Sequence, residues 1–215
     1  MTIRAVWFDI GETLIDETRE YGVWADWLGV PRHTFSAVFG AVVARGGDFT
    51  GALEHFMPGF DLAEERRKRI ASGLGECLAA EDLYPDARPC LSNLKEAGYY
   101  IGIAGNQTVH AGELVRKLGL PADAIGMSEE WGVAKPSPAF FDRIIEESRL
   151  SPEEIAYVGD RLDNDIHPAM KMGLRAIWIR RGPWGRITHC ARVPMVLDNL
   201  TDLQRHLVRQ SPFGV

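Results

Sequence analysis

The sequence predicts an α/β protein built on a doubly wound parallel sheet, with a helical subdomain inserted near its start. Short apolar runs rich in β-branched and aromatic residues recur at residues 3–8, 99–104, 155–158 and 176–179, with weaker runs at 124–127 and 195–197. Their length and composition are typical of buried parallel strands. Helical patterns alternate with these runs across residues 86–207, and such alternation indicates helices packed on both faces of one sheet.

The alternation is interrupted at residues 17–84, which show helical periodicity without a strand. Within residues 64–80, for example, one helical stripe holds Ile70, Leu74, Cys77 and Leu78. We therefore predict a helical insert at residues 17–84 and an α/β core formed by residues 1–16 and 85–215. Because the first strand precedes the insert and the others follow it, both core segments must join one sheet to bury their apolar runs.

Several helices between the predicted strands have readable ends. Asp86 is expected to cap a helix that has Pro89 in its first turn and that stops at Gly98. Another helix is expected to start at Ser137 and Pro138. These boundaries place loops directly after the strands, where functional side chains can lie.

Composition limits the classes of protein that fit this chain of 215 residues. It is 46% hydrophobic, with 24 Lys and Arg against 30 Asp and Glu, which excludes disordered and collagen-like proteins. The net charge of −6 argues against a nucleic-acid-binding protein, which needs a basic face. Small molecules are the expected partners, and nothing in the sequence indicates an oligomeric state.

Cysteine content and apolar runs indicate the compartment. Cys77, Cys90 and Cys190 are few and far apart, and we expect them to be reduced thiols. The N-terminal apolar run breaks off after a few residues, so we expect no signal peptide, and no apolar run reaches about 18 residues. We therefore expect a cytoplasmic protein without a membrane partner.

Polar side chains follow three of the predicted strands directly, namely Asp9, Asn106 and Asp160. A single Asp after a strand is most often a turn or helix-cap residue. In open α/β sheets, however, ligand sites lie outside the carboxyl ends of the strands. Three such residues in one sheet therefore favour a common site.

Four segments in sequence order resemble the motifs of the haloacid dehalogenase-like (HAD) superfamily of aspartate-nucleophile hydrolases. They are WFDIGETL at residues 7–14, IGIAGN at 101–106, KP at 135–136 and VGDRLDND at 158–165. The helical insert stands between the first and second motifs, where the C1-type cap of that superfamily stands. The resemblance implies a Rossmann-like HAD core that carries a helical cap.

The resemblance also implies an aspartyl-phosphate mechanism with Asp9 as the nucleophile and Mg²⁺ as the cofactor. Mg²⁺ prefers oxygen ligands, which Asp9, the Gly11 carbonyl and Asp160 would supply. Asp165 would bind the metal through water or orient Lys135. Asp163 stays open as an alternative, either at the metal or as a helix N-cap.

The phosphate group is assigned to the second and third motifs. The Lys135 charge would hold phosphate oxygens and offset the repulsion between two anions. Family members carry a Ser or Thr hydroxyl in the second motif, and this chain has Gly105 in its place. Backbone N–H groups of Gly105 and Asn106 are expected to replace that hydroxyl in part.

A second departure concerns the general acid/base. Family phosphatases carry a second Asp two residues after the nucleophile, where this chain has Gly11. Loss of that group costs roughly 10²–10⁴ in rate when the leaving group is poor. Glu12 is the nearest catalytic candidate, but in an extended segment it would point to the opposite face from Asp9 unless the loop turns.

Together these observations predict a Mg²⁺-dependent phosphohydrolase that acts on a small phosphorylated metabolite with a good leaving group. Two alternatives stay open. One is a hydrolase of the dehalogenase branch, which also lacks the second Asp but needs no metal, so that retention of Asp160 counts against it. The other is a catalytically impaired binding protein that keeps the fold.

Overall fold

The computed structural model describes residues 2–190 and 192–208. A six-stranded sheet has the order β3-β2-β1-β4-β5-β6, and all neighbouring strands are parallel. The strands are β1 (Ala5–Phe8), β2 (Tyr100–Gly105), β3 (Ala124–Met127), β4 (Ile155–Gly159), β5 (Arg175–Ile179) and β6 (Val196–Leu197). All six predicted runs are strands, and the predicted fold class is confirmed.

Four α-helices lie between β1 and α5 (Ala87–Glu96), within the predicted insert, and the other described α-helices begin with α5. The first four are α1 (Thr18–Trp27), α2 (Arg32–Ala44), α3 (Phe49–Phe56) and α4 (Leu62–Ala71). The later ones are α5 (Ala87–Glu96), α6 (Val109–Lys117), α7 (Ser128–Trp131), α8 (Pro138–Ser148), α9 (His167–Lys171), α10 (Gly182–Ile187) and α11 (Leu200–Val208). None of the described helices has the length and apolar character that crossing a membrane requires.

The central strand β1 supplies side chains to two separate hydrophobic clusters. Val6 and Phe8 pack in one cluster, while Ala5 and Trp7 pack in the other. Successive side chains of a strand point to opposite faces, so these clusters are the two faces of the sheet. This arrangement explains why the strands are continuous apolar runs, since both of their faces are buried.

Register brings the carboxyl ends of the three central strands together. Phe8 of β1 pairs with Ile103 of β2 on one side and with Val158 of β4 on the other. The order of the strands reverses around β1, because the chain moves to β2 and β3 on one side and to β4 on the other. Such a reversal opens a crevice at the carboxyl edge of a sheet.

The segment that contains α1–α4 has an aromatic cluster of its own. Trp24, Phe35, Phe39 and Phe60 are buried in it, and Trp184 of α10 packs against them. The Phe39 and Trp184 rings lie 5.0 Å apart, edge to face. Edge-to-face pairs of this kind contribute about 0.5–1.5 kcal/mol beyond the buried area. This pair stabilises the packing of α2 against α10, which follows β5.

The chain enters and leaves the predicted insert through paired backbone segments. Asp16 N–H donates to the Asp82 carbonyl at 2.8 Å, and Tyr84 N–H donates to the Leu14 carbonyl at 3.0 Å. Ile15 forms an antiparallel bridge between them. The division into residues 1–16 and 85–215 as the core and 17–84 as a helical cap stays a proposal, and this pairing supports it.

The predicted helical stripe within residues 64–80 is wrong. Helix α4 ends at Ala71, and Gly73 follows with φ +74°, a left-handed conformation that glycine adopts without strain. Ile70 and Leu74 are 60% and 48% exposed. The buried face of α4 is instead charged, because Arg69 stacks over Trp24 at 4.0 Å.

Helix α5 also begins differently from the prediction. Asp86 stands at its N-terminus, but its side chain makes no capping hydrogen bond to α5. The carboxylate accepts hydrogen bonds from the Leu200 N–H at 2.8 Å and from the Arg181 guanidinium. Asp86 therefore ties α5 to α11 and to the loop after β5.

Candidate active site

The carboxyl edge of the sheet borders a cavity of about 240 Å³. Asp9, Asn106 and Asp160, which follow β1, β2 and β4, all line it, as the sequence predicted for the edge of the sheet. The opposite wall comes from the helices that follow β1 and includes Glu17 and Tyr21. The volume lies just below the roughly 300–1,000 Å³ typical of ligand sites, so the cavity suits a ligand of few carbon atoms.

Lys135 is buried between two carboxylates. Its Nζ lies 2.6 Å from Oδ1 of Asp9 and 2.6 Å from Oδ1 of Asp165. Burial lowers the pKa of Lys135, but the charges of Asp165 and Asp9 raise it by more, so the net pKa lies well above the ordinary value. The ammonium therefore stays charged and holds the Asp9 carboxylate at the cavity wall.

Three carboxylates could share one cation. Asp9, Asp160 and Asp165 each place an oxygen within 4.8 Å of the others, and all three are buried. Oδ2 of Asp160 has no hydrogen-bond partner among the described residues. Burial and the charges of Asp165 and Asp9 hold the pKa of Asp160 well above its ordinary value. An unpartnered buried carboxylate oxygen beside two others fits a hard divalent cation.

Asp165, and not Asp163, belongs to this group. Asp165 is fully buried and accepts a hydrogen bond from the Arg161 N–H at 2.9 Å, while Gly159 lies so close that a Cβ there would be 2.4 Å from the Asp165 carboxyl carbon. Asp163 is exposed and pairs with the Arg161 guanidinium at 2.7 Å. The glycine at residue 159 thus makes room for Asp165 against the end of β4.

Gly11 also lines the cavity, and the space beside it is filled. A Cβ built on Gly11 would lie 2.6 Å from Oε1 and 2.9 Å from Oε2 of Glu17. Glu17 directly precedes α1, and its carboxylate accepts a hydrogen bond from the Tyr21 hydroxyl at 2.6 Å. Burial raises the pKa of Glu17, the Glu20 charge adds to this, and Tyr21, Gln107 and Lys135 oppose it. The Gly11 carbonyl stays a predicted metal ligand.

Glu12 corrects an assumption made from the sequence. Its φ is +52°, so the loop turns there, and the carboxyl group lines the cavity instead of pointing away. It accepts a hydrogen bond from the Tyr84 hydroxyl at 2.6 Å and packs over Gly182. Burial above all, then the Glu17 charge, raises the pKa of Glu12 to about 8, against the hydrogen bond from Tyr84.

The two residues predicted to bind phosphate differ in what they contact. The Asn106 side chain is used within the protein, because its Nδ2 donates to the Lys135 carbonyl at 2.9 Å and its Oδ1 accepts from the Lys135 N–H at 2.8 Å. A Cβ on Gly105 would lie 2.8 Å from Oδ1 of Asp9. Gly105 thus leaves room for the Asp9 carboxylate. Phosphate binding by the backbone N–H groups of Gly105 and Asn106 stays a prediction.

The sequence reasoning missed Glu17 and Tyr21 as cavity residues, and it favoured a place on the sheet for Trp184, which lines the cavity. Glu17 lies three positions after the last residue of the first motif, but its contact with Gly11 depends on the turn at Glu12. Trp184 follows β5 and reaches the cavity because it packs against the Arg161 guanidinium at 4.4 Å. A search for carboxylates close in sequence to Gly11 would have found Glu17 as a candidate.

Sequence comparisons agree with this geometry. A sequence model of the family described as haloacid dehalogenase-like hydrolase matches residues 3–173. Glyceraldehyde 3-phosphate phosphatase of Pyrococcus furiosus is 26% identical over 202 residues, which cover 86% of this chain and 84% of that protein. The enzyme of the same name from Methanopyrus kandleri is 38% identical over 104 residues, 47% of this chain and 45% of that protein. Phosphoserine phosphatase of Thermus thermophilus is 30% identical over 128 residues, 56% of this chain and 49% of that protein.

Solved structures share the fold. A HAD-hydrolase of Bacillus subtilis, solved bound to magnesium, has a TM-score of 0.71 at 19% identity, covering 96% of this chain and 99% of that one. A 2-haloacid dehalogenase of Pseudomonas syringae pv. Tomato has a TM-score of 0.61 at 24% identity, covering 97% of this chain and 99% of that one. At these identities the likeness concerns the fold alone, which phosphatases and dehalogenases have in common.

Proposed function

Because the chain belongs to the haloacid dehalogenase-like hydrolases, we propose that it is a phosphohydrolase that cleaves a small phosphorylated metabolite through an aspartyl-phosphate on Asp9. The observation that carries this proposal is the contact of Asp9 with a buried ammonium, Lys135, at the edge of the cavity. Two further carboxylates beside Asp9 support it, since phosphoryl transfer depends mainly on positioning and charge neutralisation.

Asp9 and Lys135 have separate roles in this reaction. An oxygen of Asp9 bonds to phosphorus while the bond from phosphorus to the leaving oxygen breaks, and water then releases phosphate from Asp9. A carboxylate and a phosphate repel each other, and the Lys135 charge reduces that repulsion as the substrate approaches. Asp165 holds Lys135 from the other side, so the ammonium keeps its position when Asp9 changes charge.

A divalent cation fits the carboxylates, and Asp9 and Asp160 would hold it, with the Gly11 carbonyl and Asp165 as further contributors. Mg²⁺ bound there would supply positive charge to the oxygens of the transferring phosphoryl group. The Asp160 backbone is held for this role, because the Trp178 indole N–H donates to its carbonyl at 2.8 Å. Asp163 is left outside, on the exposed side of the loop.

The substrate we propose is a phosphate ester of few carbon atoms. A cavity of about 240 Å³ suits a phosphate group together with a few carbon atoms. Two relatives are named glyceraldehyde 3-phosphate phosphatase and phosphoserine phosphatase, both after three-carbon phosphate esters. Which ester this chain accepts depends on the wall formed by α1 and the residues near Trp184.

The test is phosphate release from a panel that contains p-nitrophenyl phosphate, glyceraldehyde 3-phosphate and O-phosphoserine, with Mg²⁺ and with EDTA. We expect Mg²⁺-dependent release of phosphate by the wild type and none by Asp9→Asn. Halide release from a 2-haloacid, measured in parallel, tests the dehalogenase alternative. Halide release without phosphate release would reject the phosphohydrolase proposal in favour of that alternative.

A further inference from the structure

The carboxyl group of Glu17 stands where a side chain at residue 11 would begin. The carbon and both oxygens of this carboxyl group lie within 2.9 Å of a Cβ built on Gly11, so the group occupies the space that a side chain at residue 11 would need. Glu17 lines the same cavity as Asp9, so its carboxyl group and the proposed nucleophile border one ligand space.

Other carboxylates that the neighbouring helices contribute to the cavity are held by arginines. Glu20 is bound by Arg69 at 2.8 Å, and Asp82 is bound by the Arg19 guanidinium. In the described part of the chain, by contrast, no ion pair includes Glu17. Among the described residues, Glu17 thus differs from Glu20 and Asp82, whose carboxylates arginines hold in place, and its carboxyl group is available to a ligand in the cavity.

The partners of Glu17 are neutral groups that fix its position. The Tyr21 hydroxyl donates to Oε2 at 2.6 Å from one turn further along α1, and the Gln107 amide interacts with the carboxyl from the loop after β2. One oxygen is thereby bound to Tyr21, which leaves Oε1 closer to Gly11. A positioned oxygen on the cavity wall is what proton transfer to a bound substrate requires.

Given the proposed phosphohydrolase function, on which this step rests, we infer that Glu17 is the general acid and base of the reaction. In the first half, Asp9 bonds to phosphorus, the bond from phosphorus to the ester oxygen breaks, and the Glu17 proton moves to that oxygen to give the alcohol. In the second half, the Glu17 carboxylate takes a proton from water. The water oxygen bonds to phosphorus, the bond to Asp9 breaks, and phosphate leaves.

This assignment changes the expected range of substrates. The restriction to good leaving groups followed from the lack of a carboxyl group at residue 11. With Glu17 in that space, esters of ordinary alcohols come within reach, because their alkoxide oxygen can be protonated as it departs. Esters such as O-phosphoserine should then be hydrolysed by the wild type.

The leaving group separates a catalytic role of Glu17 from a structural one. We expect Glu17→Gln to lower kcat/KM for O-phosphoserine by about 10²–10⁴-fold and kcat/KM for p-nitrophenyl phosphate by less than about tenfold, because kcat/KM reports the step in which the leaving group departs and nitrophenolate leaves without a proton. Equal losses for the two esters would overturn the assignment. Glu54→Gln, at an exposed side chain of α3 outside the cavity lining, is the control for the same change of side chain, and it should change the ratio of the two rates by less than about threefold.

Gly11 offers a second, independent test. The Cβ of Gly11→Ala must displace the Glu17 carboxyl, so this variant should lose alkyl phosphate turnover selectively, as Glu17→Gln does. Gly11→Asp combined with Glu17→Ala, which empties the space beside residue 11, supplies a carboxyl group there and should give at least about tenfold more alkyl phosphate turnover than Glu17→Ala alone. Failure of both effects would overturn the role of Glu17.

The same assays keep failure of this assignment separate from failure of the proposed function. A wild type that hydrolyses p-nitrophenyl phosphate but no alkyl phosphate lacks a working acid, which overturns the role of Glu17 and leaves the phosphohydrolase standing. A wild type that hydrolyses no phosphate ester overturns the phosphohydrolase itself. Thermal unfolding of every variant shows whether a loss of rate reflects a loss of folded protein.

Discussion

The Nζ atom of Lys135 lies 2.6 Å from Oδ1 of Asp9, where the chain leaves β1. The two residues are 126 positions apart (135 − 9) in the sequence and belong to separate motifs. Their contact places a fixed positive charge beside the proposed nucleophile, and Asp165 completes the arrangement on the far side of the ammonium. Each group can be removed separately, so the roles proposed for them can be tested one at a time.

Replacement of Asp9 tests the nucleophile. We expect Asp9→Asn to abolish phosphate release, by at least about 10³-fold, because an amide does not form the acyl-phosphate. The fold should persist, since Lys135 keeps its contact with Asp165 at 2.6 Å. Circular dichroism would check the fold of the variant. Phosphate release close to the wild-type rate, with the same dependence on Mg²⁺, would show that the attacking group is another residue.

Replacement of two neighbouring aspartates tests the metal site. Asp160→Ala should weaken Mg²⁺ binding at least about tenfold, because it removes the buried, unpartnered Oδ2 that faces two other carboxylates. Asp163→Ala is the matched control, since that carboxylate is exposed and bound to Arg161. Calorimetric titration of the metal-free proteins with Mg²⁺ measures both affinities. Equal affinities in the two variants would move the metal away from Asp160.

Much of this site is predictable from the sequence, because it depends on strand ends. Asp9 and Asp160 directly follow apolar runs that only buried parallel strands explain, and the carboxyl ends of such strands meet at one edge. Lys135 and Asp165 were placed by motif order and spacing. The structure brings these four side chains together, while their chemical roles stay predictions for the experiments described here.

What the sequence did not reveal depends on loop geometry and on exposure. Glu17 approaches Gly11 because the chain turns at Glu12 with positive φ, and no periodic pattern signals that turn. The stripe within residues 64–80 failed for another reason. Ile70 and Leu74 are exposed, and the helix buries the charged Arg69, whose partner Glu20 lies 49 residues away. A pattern of apolar residues cannot reveal a buried ion pair.

The Asn106 side chain is expected to position Lys135 by binding the Lys135 backbone. The Asn106 amide makes two hydrogen bonds to the main chain of Lys135, at 2.9 and 2.8 Å. Asn106→Ala removes both and should lower the free energy of unfolding by about 1–3 kcal/mol. It should also reduce kcat more than it raises KM, because Lys135 loses its fixed place beside Asp9.

The alternative for Asn106 is direct contact of its side chain with phosphate, which would appear mainly as a higher KM with unchanged stability. Chemical denaturation and steady-state kinetics on the same preparation distinguish the two. Asn164→Ala, which alters another asparagine on the cavity wall, is the control for stability. It should change the free energy of unfolding by less than about 0.5 kcal/mol.

The Glu12 carboxyl group should make the stability of the protein depend on pH, and the direction of that dependence can be predicted. Burial is the main cause that raises its pKa from 4.5 to about 8 in the folded, metal-free protein. Between these values the folded protein keeps the Glu12 proton and the unfolded chain loses it, so stability falls as pH rises through this window, by at most about 1.4 kcal/mol per pH unit. Below pH 4.5 both states hold the proton, and above pH 8 neither does.

Glu12→Gln removes this titration while its side-chain oxygen can still accept the hydrogen bond from Tyr84. With EDTA present, the free energy of unfolding of the variant minus that of the wild type should therefore increase by at least about 1 kcal/mol between pH 5 and pH 8. Glu81→Gln, at a side chain that is 72% exposed, serves as the control and should give a constant difference. If the difference in the free energy of unfolding is constant for Glu12→Gln as well, the folded protein ionises Glu12 as readily as the unfolded chain does. Burial beside Tyr84 then does not raise the pKa of Glu12.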